Sequence, residues 1–166
     1  MRDRNRHLAV ALALALGAGR ASADDTTEKG PAMTLSAHGT FDVKVAPLEQ
    51  QPYPDGQSLG RYALDKQYHG ELEATAHGEM LTAATPTEGS AAYVAVERVE
   101  GALAGRRGSF LLQHAGKMAH GEQWLTITVV PDSGTGELVG LEGRLDIQIV
   151  QGRHDYQLAY SLPDTP

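Results

Sequence analysis

One charged stretch, residues 91–100, contains the side chains best suited to acid–base chemistry. Alternate residues of a β-strand face opposite sides, so Tyr93 and Glu97 would share one face and Arg98 would lie on the other. If Glu97 faces the interior, we expect burial to raise the pKa of its carboxyl, which makes Glu97 a candidate catalytic general acid or base. If Arg98 faces inward, it is a candidate ligand-binding cation that needs a carboxylate partner. The sequence leaves the inward face open, and solvated surface charge is the alternative.

Two later segments carry a histidine and a tyrosine among apolar residues. His114 alternates with apolar residues in the segment 109–118, and Tyr156 does so in the segment 154–162. An apolar wall with one or two polar groups is typical of small-molecule sites. His114, Tyr156 and Tyr93 are therefore candidate ligand-binding residues. The alternative is that they are buried side chains whose polar atoms find partners within the core.

The segment 129–143, VVPDSGTGELVGLEG, contains Asp132 in an Asp-Ser-Gly-Thr sequence. Aspartic peptidases use such turns to bring two carboxylates to about 3 Å, where they share one proton and activate water. This chain has one copy, so a peptidase would need a dimer that pairs two Asp132 side chains. In the alternative, Asp132 is a turn residue whose side chain caps local backbone N–H groups. We interpret the segment mainly as a hairpin between two late strands and keep Asp132 as a candidate catalytic acid.

His-Gly-Glu occurs three times, at residues 69–71, 77–79 and 120–122. A His and a Glu two residues apart share a strand face, which is compatible with metal binding. Zinc sites, however, use tighter groupings with an identifiable third or fourth ligand, and no His-Glu-x-x-His is present. No glycine-rich phosphate loop opens a helix, and no Gly-x-Ser-x-Gly elbow occurs. The sequence therefore predicts no metal and no cofactor.

The elements that position these residues must be strands. After residue 23, no segment keeps the 3.6-residue spacing of apolar residues that indicates a helix. The candidate strands are 40–45, 59–66, 71–82, 90–102, 109–118, 123–130, 138–150 and 154–162. Short strands at a spacing of roughly 10–14 residues with Gly-rich turns predict an all-β sandwich or barrel. Short connections favour antiparallel neighbours, and closure removes edge strands. We therefore predict a single antiparallel up-and-down β-barrel of about eight strands, which would be filled by side chains or hold one small ligand.

The N-terminal residues 1–23 have the composition of a signal peptide. Three arginines precede the apolar stretch 8–18, and Ala21-Ser22-Ala23 fits the small-x-small cleavage rule. We predict cleavage after Ala23, a flexible leader at 24–32 and a barrel domain at 33–166. No cysteine is present, which excludes a disulfide and a cysteine-linked lipid anchor.

The charge of the chain restricts its partners. The predicted signal peptide carries four arginines and one aspartate, so its removal lowers the net charge from −7 to −10. Such an acidic chain is not expected to bind nucleic acid or an anionic membrane through bulk electrostatics. No second apolar stretch approaches the ~18 residues of a spanning helix. We predict a periplasmic or secreted protein with no membrane association after cleavage, and the sequence leaves open a homo-oligomer.

Four stretches resemble one family of proteins. They are LDKQYHGELEATAHGEML at 64–81, GSAAYVAVERVEG at 89–101, GSFLLQHAG at 108–116 and the segment 129–143. Together with their flanks they are similar to the domain-of-unknown-function family 3224 (DUF3224), which is grouped with allene oxide cyclase-like, calycin-like barrels. The resemblance implies an eight-stranded antiparallel barrel and no established activity. Allene oxide cyclase has a cysteine among its pocket groups, and this chain has none, so that chemistry does not transfer.

These observations predict a barrel that binds a small apolar or amphipathic molecule. One alternative is an enzyme, which would be either an isomerase or cyclase using an interior carboxylate or a peptidase using Asp132. A second alternative is a structural or interaction barrel with a filled core. Since one fold hosts many functions, the interior side chains must decide between them.

Overall fold

A computed structural model describes residues 34–163, so the predicted signal peptide and flexible leader lie outside the described residues. The strands are β1 Leu35–Pro52, β2 Ser58–Gly70, β3 Leu72–Ala84, β4 Ala91–Leu103, β5 Arg106–Ala119, β6 Glu122–Val129, β7 Glu142–Val150 and β8 Arg153–Ser161. Each strand pairs antiparallel with the next, and β8 pairs with β1 to close the barrel. The predicted fold class is confirmed. No helix within this part of the chain is long and apolar enough to cross a membrane.

Three of the hairpins have two-residue turns in which the second residue is glycine. The turns are 104–105, 120–121 and 151–152, and both residues of each have positive φ, between 48° and 90°. Two consecutive residues with positive φ make a type I′ turn, whose twist matches that of the flanking strands. Glycine adopts this conformation without steric cost, which explains its position in each of these turns.

The interior differs between the two ends of the barrel. We call the end that contains the strand starts Leu35 and Arg106 the packed end, because large apolar side chains such as Leu72, Leu103 and Phe110 fill it. The opposite end, which contains the loops 53–57 and 85–90, is called the cavity end. The core is therefore asymmetric along the barrel axis, with apolar packing on one side and space on the other.

The segment 129–143 joins two late antiparallel strands as predicted, but residues 138–141, which were predicted to be strand, are not part of β7. Residues 130–141, here called the connecting segment, join β6 to β7 and include the short 3₁₀ helix Gly136–Leu138. The segment runs beside the start of β5, where the Thr135 N–H donates to the Ser109 carbonyl at 2.8 Å. Leu138 and Leu141 are each 1% exposed and belong to the main core cluster. The apolar residues that suggested a strand thus fill the packed end of the barrel.

The pairing between β6 and β7 is the shortest in the barrel wall. The connecting segment separates β6 from β7, which are in register at a single pair, Thr128 and Arg144. By contrast, β4 and β5 are paired from Ala91–Met118 to Leu103–Arg106. The side chains of β1 to β5 therefore occupy the best-fixed positions, and most of the site described next comes from these strands.

Candidate functional site

A cavity of about 320 Å³ lies inside the cavity end. Most of its wall is apolar, with contributions from Phe41, Val43, Leu64, Met80 and Ile147. Val45, Pro47 and Gln50 line it where the exposed part of β1 begins, so the cavity reaches the surface there. A cavity of this size with mainly apolar walls and few polar groups has the form of a small-molecule site.

A cluster of four polar side chains, here called the buried cluster, lies where the cavity meets the packed core. The carboxylate of Glu97 is its centre, since Oε1 accepts hydrogen bonds from Lys66 Nζ at 2.9 Å and Tyr68 Oη at 3.0 Å. His114 Nε2 lies 3.2 Å from the same oxygen. Glu97 is only 2% exposed. The cluster therefore places an ion pair and an imidazole in an interior that is otherwise largely apolar.

The second carboxylate oxygen of Glu97 is bonded differently. Lys66 Nζ lies 2.9 Å from Oε2 as well, which is within ion-pair distance. The angle at which Lys66 Nζ approaches Oε2 is unsuitable for a hydrogen bond. Oε2 is therefore a buried acceptor with no hydrogen-bond partner among the described residues. All the hydrogen bonds that fix the carboxylate thus converge on Oε1.

Small residues on β3 allow the cluster to form. Lys66 on β2 and Glu97 on β4 are separated by β3, and neighbouring strands lie about 4.8 Å apart. Between them β3 carries Ala76 and Gly78 on its inner face. A Cβ at Gly78 would lie 2.7 Å from the Glu97 Cβ, which is too close. The absence of side-chain volume on β3 lets two long side chains meet above it.

The electrostatics of the cluster differ from expectation. Burial alone would raise the pKa of Glu97, but the hydrogen bond from His114 and the charge of Lys66 outweigh burial and lower this pKa to about 2. The expected raised pKa is therefore wrong, because two basic groups surround the carboxylate. Burial, followed by the nearby Glu97 charge, raises the pKa of Tyr93 to about 12. Glu97 is thus a fixed anion and Tyr93 a neutral hydroxyl at neutral pH.

Three of the residues predicted from the sequence come together at this site. His114 and Tyr93 line the cavity, and Glu97 lies behind His114 and Lys66. Arg98 does not join them, because it faces outward and pairs with exposed Glu100. Glu97, rather than Arg98, is the inward charge of β4.

Tyr156 faces inward but has another role. Its hydroxyl accepts a hydrogen bond from the Leu72 N–H at 2.9 Å and lies 3.2 Å from the carbonyl of His38 and 3.3 Å from that of His69. These contacts tie β8 to β1, β2 and β3 at the packed end. Its ring also packs edge-on against Tyr68, with centroids 5.5 Å apart. Tyr156 is therefore placed below the buried cluster, in the core rather than in the cavity wall.

Asp132 lies in an exposed turn of the connecting segment, away from the cavity, with a φ of 58°. The neighbouring Ser133 makes the turn's contacts, since its Oγ donates to the Val130 carbonyl at 2.6 Å and accepts from the Leu111 N–H at 3.1 Å. The left-handed conformation suits Asp and Asn, whose short polar side chains tolerate it. Asp132 thus lies in a structural turn, and the site described here does not include it.

We expect Asp132→Asn to change the free energy of unfolding by less than about 0.5 kcal/mol, because both residues suit this turn. Ser133→Ala is the matched comparison and should cost about 1–2 kcal/mol, since it removes two hydrogen bonds. Urea denaturation followed by circular dichroism measures both. A peptidase that depends on Asp132 would instead show cleavage at acid pH that the Asn variant loses at unchanged stability.

Two members of the buried cluster, Lys66 and Tyr68, are absent from the residues predicted from the sequence. Their signal is nevertheless present, because Tyr62, Leu64, Lys66 and Tyr68 alternate along β2 and share one face. A lysine within an apolar alternation indicates a buried cation that needs a partner. Lys66 Nζ also lies 5.1 Å from the centroid of the Phe41 ring, a cation–π contact.

The His-Gly-Glu triplets do not converge in space. His69 contacts Asp42, His77 contacts Asp65, and His120 lies in the turn between β5 and β6. Within residues 34–163, no three His, Asp or Glu side chains are grouped so that they could hold a metal ion.

The fold and the site define a small antiparallel β-barrel with a cavity at one end and an ionic cluster at the base of the cavity. The chain belongs to the family described as "Protein of unknown function (DUF3224)", which matches residues 37–160. A crystal structure of a protein with unknown function from this family, from Shewanella oneidensis MR-1, is similar at 47% identity and a TM-score of 0.74. The match covers 80% of this chain and 100% of that chain. No similarity to a curated protein was found.

Proposed function

We propose that the barrel binds a small amphipathic molecule in its cavity. The observation that carries the proposal is the cavity of about 320 Å³, with mainly apolar walls, next to a fully packed core. Protein interiors are normally packed as densely as organic crystals, with few voids larger than a water molecule. A space of this size inside a small barrel is therefore in the range that ligands occupy.

The distribution of polar groups supports an amphipathic ligand. At the base, Lys66 and His114 face the cavity. Nearer the surface, Gln50 Nε2 lies 3.3 Å from the Tyr62 hydroxyl, and both residues line the cavity. His154 also lines the cavity, and most of the remaining wall is apolar. We therefore expect a ligand with an apolar body and a polar group that reaches Lys66 and His114.

Filling the cavity should abolish binding. Ile147 lines the cavity from β7, and Ile147→Trp adds ring volume to the space that the ligand occupies. We expect 2-decanone to bind the wild-type protein saturably and the variant at least 10-fold more weakly, as measured by isothermal titration calorimetry. Val96→Trp places the same ring on the outer wall, where Val96 is 59% exposed, and should bind like the wild type.

Two results would contradict this proposal. One is the absence of saturable binding of both 2-decanone and decanoic acid to the wild-type protein. The other is equal binding by Ile147→Trp and Val96→Trp, which would place the ligand outside the barrel. Native mass spectrometry after exposure to periplasmic extract then identifies the natural ligand class from the added mass.

We also propose that the barrel acts outside the cytoplasm. The support is the sequence of residues 1–23, with its basic start, short apolar stretch and Ala-Ser-Ala site. Intact-mass measurement of the protein from a Gram-negative host that expresses the full chain should give a mature form that starts at Asp24. An uncleaved chain in the cytoplasmic fraction would contradict export.

A further inference from the structure

The buried cluster fixes which nitrogen of His114 carries the proton. The Glu97 carboxylate, with its pKa of about 2, is ionised and only accepts hydrogen bonds. His114 Nε2 contacts its Oε1 at 3.2 Å, so in the neutral ring Nε2 must be the nitrogen that carries hydrogen. The other ring nitrogen, Nδ1, then has a free lone pair. Among the described residues, the hydrogen bond of the His114 ring is the one from Nε2 to Glu97, and the ring lines the cavity.

Lys66 supplies a positive charge beside this base. Two of its three N–H donors are directed at Glu97 Oε1 and, at 3.5 Å, the Tyr68 hydroxyl. Lys66 also lines the cavity, so its ammonium charge acts on a ligand bound there. His114 Nε2 and Lys66 Nζ contact the same carboxylate oxygen, so the two side chains lie next to each other at the base of the cavity. The surrounding wall is mainly apolar, which makes charge effects at this position stronger than in bulk water.

We propose that the cavity is a proton-transfer site for carbonyl compounds, with His114 Nδ1 as the general base and Lys66 as the group that stabilises the enolate oxygen. The proposal rests on the binding function and adds a ligand class and a reaction to it. His114 and Lys66 line the same cavity, so one ligand there can meet both a base and a cation.

The step balances without a further reactant. Nδ1 removes a proton from the carbon next to the carbonyl, the C–H electron pair forms a C=C bond, and the carbonyl π pair moves to oxygen. The Lys66 ammonium stabilises this oxygen while keeping its own proton. The imidazolium is stabilised by Glu97 through Nε2–H. In D₂O the Nδ1–H of the imidazolium exchanges with a solvent deuteron, and delivery of that deuteron to the same carbon gives exchange. Delivery to the γ-carbon of an unsaturated ligand instead shifts the double bond.

Glu97 is a positioning residue in this scheme. Its carboxylate holds Nε2–H and thereby keeps Nδ1 free of hydrogen. In Glu97→Gln, the amide can donate to Nε2, which moves the ring hydrogen to Nδ1 and removes the base. The ¹⁵N chemical shifts of the His114 ring report this change of tautomer directly, and a purely structural role for Glu97 would leave them unchanged.

The test uses 2-decanone in D₂O with the mature protein, with deuterium incorporation at carbons 1 and 3 followed by NMR. We expect the wild-type protein to accelerate exchange at least 100-fold over buffer. His114→Ala should lose this acceleration and recover part of it when imidazole is added, because imidazole fits the space left by the ring. His114→Gln keeps a polar group there and should stay inactive, and circular dichroism establishes that both variants are folded.

The outcomes separate the two proposals. Saturable binding of 2-decanone without accelerated exchange overturns the proton-transfer site and leaves the binding function standing. Exchange that persists in His114→Gln also overturns it, because another group must then be the base. The absence of saturable binding of both 2-decanone and decanoic acid overturns the binding function and the proton-transfer site together. Loss of exchange in Glu97→Gln, together with a tautomer change, supports the assigned roles.

Discussion

Glu97→Leu is expected to lower the free energy of unfolding by about 3–5 kcal/mol. The substitution leaves the Lys66 ammonium without its anionic partner. The side chain of Lys66 is only 6% exposed, so water cannot replace the carboxylate without a rearrangement of the barrel wall. Tyr68 Oη and His114 Nε2 lose their acceptor at the same time. Urea denaturation followed by circular dichroism measures the loss.

A double variant identifies the origin of this loss. Replacing both charges, as in Lys66→Met with Glu97→Leu, should recover most of the stability, because a buried ion pair and an apolar pair of similar volume are often equivalent. Arg61→Met with Glu79→Leu is the matched control, since that pair is exposed and neither change should lower the stability appreciably. A Lys66–Glu97 double variant as unstable as the sum of its single variants would show that the ion pair is not the cause.

The same cluster makes stability depend on pH in a defined direction. The pKa of Glu97 is lowered in the folded state from 4.5 to about 2, so the unfolded chain binds this proton first as the pH falls. The stabilisation is fully present above pH 4.5 and is lost as the pH falls through 2. The free energy of unfolding of the wild-type protein should therefore decrease more steeply between pH 5 and pH 2 than that of the double variant. Parallel slopes would contradict the lowered pKa.

Leu141→Ala should lower the free energy of unfolding by about 2–5 kcal/mol, because it opens a cavity in the packed end. Leu141 is 1% exposed and, with Leu138, is the contribution of the connecting segment to the main core. Val139 lies between these leucines but is 64% exposed, so Val139→Ala should change stability by less than about 0.5 kcal/mol. Both values come from urea denaturation. Equal effects at the two positions would show that the segment does not pack as described.

The number and order of strands could be predicted from the sequence because turn residues separate short segments of β pattern. The connecting segment could not, since its leucines have the same local pattern whether they belong to a strand or fill the end of a barrel. Leu138 and Leu141 lie in a turn, in which the Leu141 N–H donates to the Leu138 carbonyl at 3.1 Å. Its attachment to β5 depends on contacts with residues more than twenty positions away.

The inward face of β4 could not be decided from the sequence because both faces are apolar. Val94 and Val96 lie on the outer wall, 54% and 59% exposed, while Glu97 is buried. Local alternation therefore does not indicate which side of β4 faces the interior. The pairing of Glu97 with Lys66 follows from the register across β3 and from the absence of a side chain at Gly78. Neither feature is local in sequence, so the cluster becomes evident only in the folded barrel.

The pairing of β8 with β1 also bears on how freely the chain order can change. Leu35 lies beside Tyr160, so the first and last strands of the barrel are neighbours and their outer ends meet at the packed end. Every strand thus has the same kind of neighbours, and the sheet itself has no privileged starting strand. A circular permutant that links these ends and opens the tight turn at 120–121 would retain all eight strand pairings and the complete buried cluster.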